Sequence, residues 1–154
     1  MMWKKLALGL ALVLALIVAA FGYFFVQGTS VKGADNRRTI LLTPAERDLV
    51  LTEMRHMLKA VNGIVDALAA GDMPRAAQAA SSAGMGMADG VNPLLLMKVP
   101  LDFKQLGFGT HTQFDQLAAQ INQGNMTQTA ALQRLSAITS QCVKCHQTYQ
   151  LGVE

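Results

Sequence analysis

The chain has 154 residues, of which 51% are apolar and only 15% charged. That balance excludes an intrinsically disordered or acidic solvating chain. Lys4 and Lys5 supply most of the net charge of +3, and no Lys/Arg cluster appears elsewhere, which excludes a basic nucleic-acid-binding face.

The apolar excess is concentrated at the N-terminus. From Leu6 to Val26, 19 of 21 residues are apolar and none is charged. A bilayer core needs about 20 such residues in a helix. Lys4 and Lys5 mark the cytoplasmic flank, so the body should lie on the outer side. Tyr23, Phe24 and Phe25 close the run where an aromatic belt would sit. Val18-Ala19-Ala20 is a passable signal-peptide cleavage site, but the apolar run continues through it. Residues 1–26 therefore read as a retained membrane anchor, with a cleaved signal as the rival. Residues 27–42 show no periodicity and read as a short tether.

Residues 43–154 read as an all-α domain of four helices, preceded by the single transmembrane helix. Thr43-Pro44-Ala45-Glu46 is a capping box with Pro at the first helical position. The helix it opens runs to about Ala70, where Gly71 stops it. On a wheel of 100° per residue, Val50, Leu51, Met57, Leu58, Val61, Ile64, Val65 and Leu68 lie on the face of Met54, and His56 lies opposite. A second helix starts near Asp72 and runs to about Met87. Residues 89–100, with Gly90, Pro93 and Pro100, read as a loop. A third helix spans about 101–121, with a bend expected at Gly107 and Gly109. Asn125 to Gln128 reads as the cap of a fourth helix that runs to about Gln150. Helices of this length with short links favour an antiparallel four-helix bundle.

The two cysteines of the chain stand in Cys142-Val143-Lys144-Cys145-His146. Cys-x-x-Cys-His is the attachment signature of c-type haem. Each thiol adds to one porphyrin vinyl group, and the adjacent His reaches the iron as its proximal ligand. On a helix Cys142 and His146 are four apart and share a face, together with Leu132, Leu135, Ile138, Thr139 and Tyr149. A redox pair would want a thioredoxin-like context, which the helical pattern lacks. A zinc site would want a second ligand pair, and His56 and His111 are isolated. Export would otherwise favour a plain disulfide.

A haem motif near the end of the last of four helices resembles the class II c-type cytochromes, the cytochrome c′ family. The resemblance covers about residues 43–151, and its specific part is Ser140 to Tyr149. It implies an antiparallel four-helix bundle with one covalent haem c on the last helix, faced by the first. It implies Arg47 as the partner of a haem propionate, and homodimers are common in that family. The chain departs from the family pattern in two places. Gln150 stands where a basic residue is common, and Arg47 is followed four positions later by Leu51, with Met54 three further on.

The distal side of the iron decides the function. Met54 is central on the inner face of the first helix and is the first choice for distal ligand, ahead of Met57 and His111. Met ligation suits electron transfer, whereas an open site would bind NO or CO. The preferred expectation is a monohaem cytochrome that carries single electrons between membrane and periplasmic redox partners in a bacterial inner membrane. The alternatives are a five-coordinate NO/CO protein and a docking subunit of a larger complex. No paired acid and base, and no nucleophile beside a base, suggests an enzyme. Lys144 should face outward, where it would meet an acidic partner.

Overall fold

The computed structural model describes residues 2–154, with side chains from Trp3 onward. The chain is mostly helical, at 74%. Helix α1 (Met2–Gln27) is exposed from Trp3 onward, and among the described residues it is the one helix long and apolar enough to cross a membrane.

The segment 27–42 is not the loose tether that its composition suggests. It forms strands β1 (Ser30–Lys32) and β2 (Arg38–Leu42), paired antiparallel around a turn that holds Asn36 at φ 67°. Asn is among the few side chains that tolerate this left-handed conformation. On its other edge β2 pairs in parallel with β3 (Tyr149–Val153), from Arg38 opposite Tyr149 to Leu42 opposite Val153. The all-α expectation is corrected accordingly: a three-stranded sheet of order β1-β2-β3 closes one end of the helical body. The run Thr39-Ile40-Leu41-Leu42 is apolar and partly β-branched, and it buries Ile40 and Leu42 completely.

Helix α2 (Pro44–Ala69) begins at the capping box the sequence announces. The Glu46 N–H donates to Thr43 Oγ1 at 3.4 Å and the Thr43 N–H donates to Glu46 Oε2 at 2.9 Å. Its buried stripe is narrower than the wheel predicts. Ala60 and Ala67 are inside, whereas Leu58 and Val65 face out at 69% and 46% exposure.

Helix α3 (Met73–Ser81) is capped by Asp72 but stops six residues short of the expected end. A 3-10 turn (Met85–Ala88) follows. The break lies at Gly84, where a Cβ would collide with the carboxylate of Asp115, which accepts the Met85 N–H at 2.8 Å. Within the expected loop 89–100, Asn92 caps a short helix α4 (Pro93–Lys98). Helix α5 (Leu101–Asn122) runs unbroken through Gly107 and Gly109. Helix α6 (Gln128–Thr148) is capped by Thr127, whose hydroxyl accepts the Ala130 N–H, rather than by Asn125. It ends before Gln150 because the chain turns into β3 at Tyr149.

Helices α2, α3, α5 and α6 pack on one another in a closed ring, α2 on α3 and α6, α5 on α3 and α6. Two buried clusters result. The larger, around Ile64, Ala77, Phe114, Leu117 and Leu135, lies among these four helices. The smaller lies where the sheet meets α2 and α4, around Ile40, Leu42, Val50, Leu95 and Tyr149.

The end of α1 is fixed to this body. A helix leaves its last four carbonyls without internal partners. Here Gly28 N–H reaches the Phe24 carbonyl, Lys104 Nζ the Phe25 carbonyl at 3.0 Å, and Arg38 Nη2 the Gln27 carbonyl at 3.1 Å. Two cations at a helix C-terminus complement its dipole, which α1 cannot do with its own last turn. Gly28 has φ 59° and lies so close to the backbone of Lys98 to Pro100 that any Cβ would collide with it.

Candidate functional site

Cys142 and Cys145 lie on the last turns of α6 as free, half-buried thiols. Burial pushes the Cys142 thiol up, and burial together with the neighbouring Cys142 pushes Cys145 up to about 11. Both thiols are therefore neutral at ordinary pH, which suits an apolar setting.

They open on a cavity between α2, α5 and α6, lined by Val50, Glu53, Met54, Met57, Phe103, Leu106, His111 and His146 among others. A second cavity adjoins it and shares Met54, Phe103, Cys145 and His146, with Arg37, Arg47 and Gln150 on its wall. The free space is about 90 Å³ in the first and 170 Å³ in the second. The site lies at the seam of the two buried clusters. Met57 packs on the larger one, and Met54 and Cys145 pack on the smaller.

The sequence-predicted residues thus converge, with distinctions. Cys142, Cys145, His146, Met54, Met57 and His111 line the first cavity, and Arg47 lines the second with Met54 and His146. His146 is exposed on the last turn of α6. Met54 borders both cavities, whereas Met57 borders only the first. His111 is buried with both ring nitrogens engaged. Nδ1 lies 2.8 Å from the Ala83 carbonyl and Nε2 lies 3.4 Å from Glu53 Oε1. The Glu53 carboxylate raises its pKa, against the opposing effect of burial. A histidine so held would have to give up a partner to bind anything else. His56 and Lys144 are exposed, as expected.

Tyr149 falls outside the helical face assigned to it. As the first residue of β3 it is buried edge-on against Phe103, with ring centroids 5.4 Å apart. The Arg38 guanidinium covers its ring at 5.7 Å.

Arg37 is the site residue that sequence reasoning misses. Its Nη1 donates to the His146 carbonyl at 3.3 Å and its Nη2 donates to Gln150 Oε1 at 2.8 Å, so it caps the cysteine-bearing helix with positive charge. Asp35 orients it through a 2.6 Å ion pair, and Arg37 in turn holds the Asp35 carboxyl below its ordinary pKa. No motif surrounds Arg37, and only the β2–β3 pairing brings it to α6.

Among the described residues, no three His, Cys, Asp or Glu side chains gather as a metal-ion cluster. A porphyrin iron asks for no such cluster, since the macrocycle supplies four ligands and the protein only the axial ones. Comparison with known proteins finds no matching family model, no matching curated protein and no matching solved structure.

Proposed function

We propose that this protein is a membrane-anchored monohaem c-type cytochrome whose body faces the periplasm and which carries single electrons between membrane and periplasmic redox partners. One observation carries the reading. The Cys142-Val143-Lys144-Cys145-His146 turn of α6 opens onto an apolar cavity whose opposite wall, on α2, holds Met54. In this reading the α2, α3, α5 and α6 ring is an antiparallel four-helix bundle of the cytochrome c′ type, elaborated by a sheet.

The donor chemistry fits a covalent haem. Cys142 and Cys145 are free to form the two thioethers, and His146 stands one residue on as proximal ligand. Met54, the methionine that borders both cavities, would serve as the distal ligand. Arg47 and Arg37 supply positive charge for the propionates. The two cavities are smaller than a porphyrin, so the side chains that divide them would have to move aside to admit one. When bound, the haem supplies one-electron redox chemistry at its iron. The chain's own residues exclude water with Val50, Phe103 and Leu106, and fix the cysteine helix through Arg37. Lys144, exposed between the cysteines, offers charge to an acidic partner. In this reading α1 anchors the protein in a bacterial inner membrane, and a homodimer is a further expectation.

The apolar wall also favours a second reading. If neither Met54 nor Met57 ligates, the distal position is open and the protein binds NO or CO. Expression of the full chain in a host that exports it and attaches haem c tests both readings. A covalent haem that survives denaturation is expected, with a low-spin spectrum. A full-length product without covalent haem overturns the cytochrome reading. A high-spin spectrum with ready CO uptake selects the second.

A further inference from the structure

Helix α4 is short, and all but one of its residues, Pro93-Leu94-Leu95-Leu96-Met97-Lys98, are apolar. Leu95 is buried against the small cluster, but Leu94 stands 69% exposed, with Leu96 and Met97 only partly covered. The one charge, Lys98, is neutralised by Glu46 at 2.8 Å and Glu154 at 3.0 Å. An uncharged apolar prominence on a body of ordinary composition calls for a partner.

The location of α4 names that partner. The helix packs against the end of α1. Thr29, two residues past α1, donates from its backbone N–H and from Oγ1 to the Lys98 carbonyl. Gly28 lies against the backbone of Lys98 to Pro100, and Lys104 holds Phe25. These contacts leave no slack between α4 and the aromatic run Tyr23 to Phe25. Once α1 spans a bilayer, that run sits at the interface, and α4 sits beside it.

We propose that α4 is a second membrane contact, its Leu94 and Met97, which share a face, dipping into the acyl–headgroup boundary of the outer leaflet. The inference rests on the reading of α1 as an anchor and adds an interaction surface to it. Two attachments, one spanning and one lying flat, fix the tilt of the body. The far end of α2 lies well away from α4. Glu46, which pairs with Lys98, and Leu68, whose carbonyl accepts from Gln128 at 3.1 Å, lie on one helix, α2. At 1.5 Å per residue, their 22-residue separation is roughly 33 Å.

The test places a photoactivatable benzoylphenylalanine at position 94, 14 or 125 of the full chain in phospholipid vesicles and identifies each adduct by mass. A lipid adduct is expected at positions 14 and 94 and not at 125. A lipid adduct at 14 with none at 94 overturns the inference and leaves the anchor intact. Cross-linking of position 94 to a second copy of the chain, or to another protein, also overturns it. No lipid adduct at 14 removes the anchor reading and the inference with it. An equal lipid adduct at 125 overturns the fixed tilt.

Discussion

Lys104 of α5 donates to the carbonyl of Phe25 at 3.0 Å and stands 3.8 Å from the centroid of the same residue's ring. One ammonium therefore closes the end of α1 twice, through the helix dipole and through the aromatic face. Burial depresses the Lys104 pKa, so the group is held because it has these partners rather than because water surrounds it.

Replacing Lys104 by Met keeps the stem and removes the charge. The amides of residues 25–29 should then exchange faster with solvent, while the visible spectrum of the haem-loaded protein stays unchanged. Unaltered exchange would show that Arg38 and the Gly28 packing suffice to hold the anchor.

Met54→Ala should convert the loaded protein from low to high spin, and Met57→Ala should not. The discrimination comes from position, since Met54 borders both cavities that meet at Cys145 and His146. Loss of the low-spin state in Met57→Ala alone would transfer the ligand role one turn along α2.

The buried His111–Glu53 pair makes stability fall with rising pH. The folded-state pKa of His111 is raised above its ordinary 6.5, chiefly by Glu53. The stabilisation is therefore complete below 6.5 and is lost as pH climbs through the folded value. Asp115 acts in the same direction. Denaturant unfolding from slightly acid to alkaline pH should show a shrinking gap between the wild type and His111→Gln. A gap that is constant with pH would mean that His111 is neutral throughout.

Ile40→Ala should cost about 2–5 kcal/mol, the range for emptying a fully buried aliphatic site. Thr43→Ala should cost about 1 kcal/mol by loss of the cap. The contrast, read from urea midpoints, tests whether β2 is part of the core. A null effect at Ile40 would return residues 27–42 to the status of a tether.

Much of the helical body is legible in the sequence because its signals are local. The capping box at Thr43, the stop at Gly71 and the start of α5 at Leu101 each lie within a few residues of what they determine. The sheet is not legible, because the strands that flank it in space are remote in the chain. Thr39 and Gln150, joined through Oγ1 and Nε2, stand 111 positions apart. A five-residue strand, Arg38–Leu42, whose only partner nearby in the chain is the three-residue β1, carries no period to read. Arg37 is missed for the same reason. The cysteine motif is legible because its spacing lies within α6, and Met54 and Met57 because theirs lies within α2. That α2 turns Leu58 and Val65 outward is not, since Ala60 and Ala67 fill its inner face and a wheel weighted by size favours larger residues.

The parallel seam between β2 and β3 also sets an order of events. It joins the segment just past α1 to the segment just past the cysteine motif, so it cannot close until Arg38 and Tyr149, 111 residues apart, have met. Loops of this length close late and slowly. During that interval α6 lacks its Arg37 clasp, beside the free thiols of Cys142 and Cys145. On the cytochrome reading proposed above, haem attachment would belong to that interval, before the Arg37 clasp closes over the end of α6.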